Sequence, residues 1–489
     1  MGILADRESR LLIDGELVAG SGGTFQTINP ATEEVLGVAA DASTDDMGRA
    51  IEAARRAFDE TEWSTDTELR VRGIRQLQQA MRDRAEELRE LAISEVGAPR
   101  MLTSMAQLEG PVEDLTFCAD TAEGYQWTTD LGIAEPMGIK TRRTIAREAI
   151  GVVGAITPWN FPNQINLAKL GPALAAGNTV VLKPAPDTPW SAAILGELIL
   201  EHTDIPAGVV NIVTSSDHGV GALLSKDPRV DMVSFTGSTN TGRAVMADGA
   251  PTLKKVFLEL GGKSAFLVLD DADLAGACSM SAFTASMHAG QGCAITTRLV
   301  VPRARYDEAV EAAAATMAGL RPGDPNDSGT ICGPVISERQ RDRIQGYLDS
   351  ATAEGGKFAC GGGRPADRDK GFFIEPTVIA GLDNNAKVAR EEIFGPVLTV
   401  IAHDGDDDAV RIANDSPYGL SGTVFSADEE RAAGIAARLR VGTVNVNGGV
   451  WYSADMPFGG YKQSGLGREM GLAGFEEYLE IKAIATAAS

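Results

Sequence analysis

Histidine, cysteine and basic residues are all scarce in this chain, and each shortage closes off a class of function. The four histidines, His202, His218, His288 and His403, are scattered and show no HExxH pairing. No metal site is expected from them. The five cysteines, Cys118, Cys278, Cys293, Cys332 and Cys360, are odd in number and lack CxxC spacing. That argues against a disulfide framework and fits a reducing cytoplasm. Lys and Arg total 44 against 68 Asp and Glu, a net charge of −24. A surface this acidic lacks the basic patches that nucleic acid or an anionic membrane would need. It reads as a solubilising coat. No run approaches the ~18 apolar residues of a membrane span. The first residues, MGILADRESRLLIDG, lack the apolar core of a secretory leader, and Asp6 stands where a myristoylation motif requires Ser or Thr. Repeats and low-complexity tracts are also missing.

What remains is an ordinary globular composition, 44% hydrophobic and 23% charged, in 489 residues. That is too long for a single ordinary core, so two or more domains are expected. Residues 10–40 read as short strands and turns, with GSGG at 20–23 as a hairpin-like break. Residues 67–96 read as one helix. Its apolar positions Ile74, Leu77, Met81, Leu88, Leu91 and Val96 fall near a 3.6 period, and Gly97 and Pro99 supply the stop. From residue 148 a new rhythm begins. Apolar runs near 152–156, 180–182, 209–213, 232–235 and 256–260 alternate with helix-compatible stretches. This predicts a covered parallel sheet, whose ligands sit beyond the carboxyl ends of the strands. Asn160, Lys183, Gly237 and Glu259 each follow or end one of these runs, so one sheet edge can gather them. Further runs near 265–269, 298–301, 397–402, 422–425 and 442–446 predict a second α/β unit, carrying Cys293. Residues 124–147 and the last 15 residues fit neither sheet.

The most telling segments are ELGGK at 259–263 and GQGC at 290–293. They set a carboxylate, Glu259, and a thiol, Cys293, among glycines, which permit close backbone approach. A thiol attacks a carbonyl as thiolate and needs an activating environment or a base. The pair therefore suggests nucleophile and general base. From the residues alone, Cys293 as a small buried core residue, the commoner fate of a free cysteine, stands open beside it. The turn Gly237-Ser238-Thr239-Asn240-Thr241-Gly242 is not a GxGxxG fingerprint. It does open a predicted helix, whose free N–H groups suit a pyrophosphate.

Eight segments decide between these readings: NPAT at 29–32, TPWNFP at 157–162, VLKP at 181–184, FTGS at 235–238, LELGGK at 258–263, GQGC at 290–293, EEIFGPV at 391–397 and PFGGYKQSG at 457–465. In this order, over most of the chain, they resemble the NAD(P)-dependent aldehyde dehydrogenase family, of the hydrolytic type that does not acylate coenzyme A. The resemblance implies a variant Rossmann-like cofactor domain (1–123 and 148–258) and a catalytic domain (259–474). It also implies a small β oligomerisation flap (124–147 and 475–489) that builds a homodimer or homotetramer. It assigns Cys293 as nucleophile, Glu259 as base for thioester hydrolysis and Asn160 as oxyanion donor. Lys169 and Glu469 match a second-rank proton relay. Lys183, Gly237, Ser238, Glu392 and Phe394 match the cofactor-binding positions. Phe161, Ala168, Tyr452 and Phe458 match the aldehyde channel.

One departure concerns cofactor choice. Relatives that prefer NAD often carry Glu three residues after the matching lysine; here that residue is Pro186. Asp187 is adjacent and no Arg lies near it in sequence, so NAD is expected, with NADP not excluded. Ala168 stands where several relatives carry a bulky aromatic, and no Arg precedes Arg298 near Cys293. The expected substrate is thus an apolar aldehyde, aromatic or medium-chain aliphatic. Two rival readings are a thiol esterase using the same Cys293 and Glu259, and a non-catalytic structural or binding protein on this fold.

Overall fold

The computed structural model describes residues 8–488. Residues 1–7, read above for a leader, lie outside the described part. Two large sheets carry the molecule. The first has eight strands, in the spatial order Gly465–Leu466, Lys255–Glu259, Met232–Thr236, Val152–Ile156, Thr179–Lys183, Val210–Ile212, Leu11–Ile13 and Glu16–Val18. Its five central strands are parallel. Their crossovers are the helices Pro162–Ala175, Trp190–His202, His218–Lys226 and Thr239–Gly249. Continuous apolar strands such as Val152–Ile156 and Thr179–Lys183 are buried along nearly their whole length, as a sheet covered on both faces requires.

The second sheet has seven strands: Lys357–Cys360, Thr377–Ala380, Val397–His403, Thr296–Pro302, Ser264–Val268, Ser421–Phe425 and Thr443–Val446. All are parallel except the outermost Lys357–Cys360. A separate antiparallel sheet joins Thr128–Ala134, Thr141–Ala149 and Leu479–Ala487. The two segments that fitted neither predicted sheet thus pair with one another.

Three expectations change. The helix over 67–96 is two, Thr67–Asp83 and Ala85–Val96, broken at Arg84, which leaves helical geometry (φ −108°, ψ 22°). Both halves bury their apolar positions, so periodicity continued across the break. The GSGG segment is no hairpin turn. The strand before it belongs to the eight-stranded sheet, and Thr24–Ile28 after it pairs with Val35–Ala40 in a small sheet. Finally, Gly465–Leu466 lies in the first sheet, pairing Leu258 with Leu466 and Glu259 with Gly465. This splice brings a segment more than 200 residues distant onto the strand that ends at Glu259. The Ser464 carbonyl accepts from the Leu260 N–H (2.9 Å), and Ser464 Oγ donates to the Gly261 carbonyl (2.7 Å).

Candidate active site

Glu259 ends a parallel strand and is 1% exposed. The glycines after it serve close contacts. A Cβ at Gly261 would stand 2.2 Å from a Glu392 carboxylate oxygen, and one at Gly262 would stand 2.6 Å from the Cys293 carbonyl. Gly290 has φ +70°, and a Cβ there would strike the Gly395 carbonyl at 2.1 Å. ELGGK, GQGC and EEIFGPV, separate in sequence, are therefore in backbone contact. Side chains at these glycines would push them apart.

Neither Glu259 oxygen has a hydrogen bond of ordinary geometry, although the Cys293 thiol is near enough to act on the carboxylate. Burial raises the Glu259 pKa well above the carboxylate range, and the charge of Glu469 adds to this; Lys169 opposes it. Cys293 is partly accessible. Burial first, and then Glu259 and Glu392, push its thiol pKa up. A cationic activator is not what surrounds the thiol. Its available proton acceptor is the neighbouring carboxylate, the second of the two routes open to an activated cysteine.

Asn160 follows the strand Val152–Ile156 and is 3% exposed. Its Nδ2 donates to the Gln291 carbonyl (2.8 Å), two residues before Cys293. An amide nitrogen has a second N–H, which remains for a substrate oxygen. Beneath this lies the buried Lys169–Glu469 ion pair (3.0 Å), with Lys169 Nζ also 3.1 Å from Ser234 Oγ and 5.0 Å from the centre of the Phe257 ring. Glu259, Glu469 and Lys169 form one electrostatic cluster.

The cofactor positions gather at the same sheet edge. Lys183 ends its strand buried beside Gly221, and burial lowers its pKa to about 8. Gly237 sits over the Phe235 ring, which a Cβ would meet at 2.6 Å. Ser238 caps the helix Thr239–Gly249, accepting from the Thr241 N–H. Glu392 accepts one bond, from the Gly262 N–H (3.0 Å), and burial raises its pKa to about 6. Its other oxygen faces Gly261, free of a stronger partner. Phe394 has φ +59° and packs edge-on against Trp159 at 5.3 Å, beside Asn160. A pinched glycine turn at a helix N-terminus, a buried lysine and a half-satisfied carboxylate fit a dinucleotide. Asp187 corrects one expectation. No Arg is near it in sequence, but Arg339, like His218, acts on its charge across the fold.

A mostly apolar cavity of about 40 Å³ is lined by Leu115, Phe117, Leu167, Ala168, Tyr452 and Phe475 among others. Its other lining residues include Asp114, which accepts from the Tyr452 hydroxyl at 3.3 Å, and Met470, next to Glu469. Of the four predicted channel residues, Ala168 and Tyr452 line it. Phe161 packs edge-on against His288 (5.1 Å), and Phe458 stacks on Trp451 (4.6 Å). Sequence reasoning missed Gln107, His288 and Gln291. Only Gln291 lay in a recognised segment; the contacts of the other two go to main-chain carbonyls, which leave no pattern. Among the described residues no group of His, Cys, Asp or Glu could hold a metal ion, and no helix is long and apolar enough to cross a membrane.

A thiol, a buried carboxylate and an amide donor meeting a dinucleotide turn at one sheet edge define a cysteine-dependent dehydrogenase. The chain belongs to the aldehyde dehydrogenase family, whose model matches residues 17–484. It is 42% identical to a 3-succinoylsemialdehyde-pyridine dehydrogenase of Pseudomonas sp over 476 residues, 96% of this chain and 97% of the relative. Among solved structures it is similar to a cysteine-to-alanine mutant of aldehyde dehydrogenase C from Pseudomonas syringae, in complex with NAD+ and octanal. There the TM-score is 0.92 and the identity 41%, over 97% of this chain and 96% of that one. It is also similar to betaine aldehyde dehydrogenase of Staphylococcus aureus in complex with NAD+, at a TM-score of 0.94 and 37% identity, over 98% and 95%. The protein is an NAD-dependent aldehyde dehydrogenase of α/β fold.

Proposed function

We propose that this enzyme oxidises apolar aldehydes, medium-chain aliphatic or aromatic, to carboxylic acids. The single observation that carries the substrate class is the apolar lining of the cavity that holds Ala168 and Met470, sequence neighbours of Lys169 and Glu469. The octanal bound by the Pseudomonas syringae relative supports it.

In the mechanism, the Cys293 thiol passes its proton to the carboxylate beside it and its sulfur adds to the aldehyde carbon. The second N–H of Asn160 Nδ2 and the Cys293 main-chain N–H hold the oxyanion; such donors are worth about 2.7–4 kcal/mol each in the barrier. Lys183, the Gly237–Ser238 turn, Glu392 and Phe394 hold NAD, which supplies the hydride acceptor. The acyl group left on Cys293 is a thioester. Lys169 and Glu469 carry the thiol's proton away from Glu259. Glu259, again a carboxylate, then draws a proton from water, the hydroxyl adds to the acyl carbon, and the acid leaves as that proton returns to the sulfur and restores the thiol. Ester hydrolysis by the same Cys293 and Glu259 follows as a side activity. The proposed division is a cofactor unit (1–123 and 148–258), a catalytic unit (259–474), whose Gly465–Leu466 strand crosses into the first sheet, and a flap that pairs protomers into a dimer or tetramer. Five free cysteines are consistent with a cytoplasmic setting.

A kcat/KM series tests the substrate class, with butanal, hexanal, octanal and benzaldehyde set against succinic semialdehyde and betaine aldehyde. Octanal or benzaldehyde should exceed the charged aldehydes by at least about tenfold. A charged aldehyde as the best substrate would overturn it.

A further inference from the structure

Asn160 is held from behind as well as from the front. Its main-chain carbonyl accepts from Gln107 Nε2 at 2.7 Å and lies 2.9 Å from His288 Nε2. All three residues are buried, His288 and Gln107 completely. The two nitrogens are 3.3 Å apart, converging on one oxygen. A lone pair on His288 Nε2 would face that carbonyl oxygen and be repelled, so Nε2 carries the proton. Nδ1 is then the bare nitrogen, and it is buried without a partner. Gln107 is oriented by the same logic. Turning its amide would set oxygen against oxygen, and as it stands Oε1 is left unbonded. A buried acceptor left empty costs free energy. Both side chains accept that cost and commit their donors to Asn160.

The support is braced in turn. The His288 N–H donates to the Ile331 carbonyl (3.0 Å), and the Gln107 carbonyl accepts from Asn163 Nδ2 (3.1 Å). Gln291 Nε2 donates to the His288 carbonyl (3.1 Å), while the Gln291 carbonyl accepts from Asn160. His288 and Ala289 both sit at positive φ, 52° and 51°, a region non-glycine residues seldom adopt. That bend turns the ring under Asn160 and against Phe161.

We propose that Gln107 and His288 are positioning residues that aim the oxyanion donor Asn160 by clamping its main-chain carbonyl. The proposal rests on Asn160 being that donor. With the carbonyl pinned by two N–H groups and one side-chain N–H pinned by Gln291, the other N–H has a fixed direction before aldehyde arrives. Such preorganisation lowers the barrier because nothing has to reorient during reaction. Both residues are fully buried against the Asn160 carbonyl, so their effect should pass through Asn160.

A double-mutant cycle tests this, with octanal turnover, NAD dissociation constant and thermal midpoint measured for each variant. His288→Ala should lower kcat by about 10–100-fold, with KM for NAD unchanged. Gln107→Leu, which keeps volume and loses the donor, should act in the same direction. His288→Gln, which keeps an N–H at similar reach, should recover most of the loss. In an Asn160→Ala background, His288→Ala should cost less than about threefold, because its target is already gone. An equal fold loss in both backgrounds overturns the proposal and leaves Asn160 as the donor. An Asn160→Ala variant that keeps near-normal kcat overturns the donor assignment and the proposal with it. Should His288→Ala fail to fold, the Gln107→Leu cycle decides by the same two criteria.

Discussion

Glu259 combines the two properties asked of a general base, burial and proximity, in a form that sets its pH behaviour. Its pKa is raised, first by desolvation and then by Glu469. A base acts only when deprotonated, so turnover should be low at acid pH and rise through an apparent pKa well above that of an ordinary carboxylate. Glu259→Gln should abolish this limb. It should also slow the first equivalent of NADH, because the thiol loses its proton acceptor, and lower steady-state turnover further, by about 10²–10⁴-fold; rapid mixing separates the two phases. Near-normal turnover would move the role to Glu469. Asp187 carries a second residue-scale consequence. It lies at the turn after Lys183 and interacts with Arg339 and His218. Asp187→Ala should release Arg339 toward an anion and raise kcat/KM for NADP relative to NAD by about tenfold, a charge effect of ordinary size. An unchanged ratio would show that Asp187 does not govern the choice.

At the scale of elements, most of the strand–helix rhythm from residue 148 was legible, though Lys357–Cys360 and Thr377–Ala380 of the second sheet were not read. Val152–Ile156, Met232–Thr236 and Val397–His403 follow their apolar runs closely. Long buried parallel strands and their crossovers write their periods into the sequence. What stayed hidden lacks a period. Gly465–Leu466 is two residues long and takes its place from partners across the chain, and Arg84 breaks a helix whose apolar spacing runs on. In the site, chemistry-bearing residues in glycine-rich segments were legible through family resemblance. Gln107 and His288 were not, because their targets are main-chain carbonyls. Phe161 and Phe458, read as channel walls, also have aromatic partners, His288 and Trp451. The cofactor turn carries its own test. Gly237→Ala places a methyl group 2.6 Å from the Phe235 ring tip. The turn must shift, so the NAD dissociation constant should rise at least about tenfold while the thermal midpoint of the cofactor-free enzyme changes little. Unaltered NAD binding would separate this turn from the cofactor.

At the scale of the whole molecule, the small antiparallel sheet is the part that a single chain leaves uncovered. Ile133 and Ile484, on one face of it, are 52% and 43% exposed, and Ile481, on the other, is 69% exposed. Apolar side chains left open on so thin a sheet need cover, and a second protomer is the proposed cover. Replacing Ile133 and Ile481 together by Asp should yield a species near 51.3 kDa by light scattering, where the wild type gives a multiple of it. A wild-type monomer at micromolar concentration would refute the flap's role. The order of the first sheet has another outcome, one of timing. The strand that ends at Glu259 is fastened along its outer edge by Ser464–Leu466, so a nascent chain can build the cofactor turn long before it can hold its base in place. A polypeptide halted on the ribosome before Ser464 therefore lacks the outer strand that fixes Glu259 and Leu260 in place.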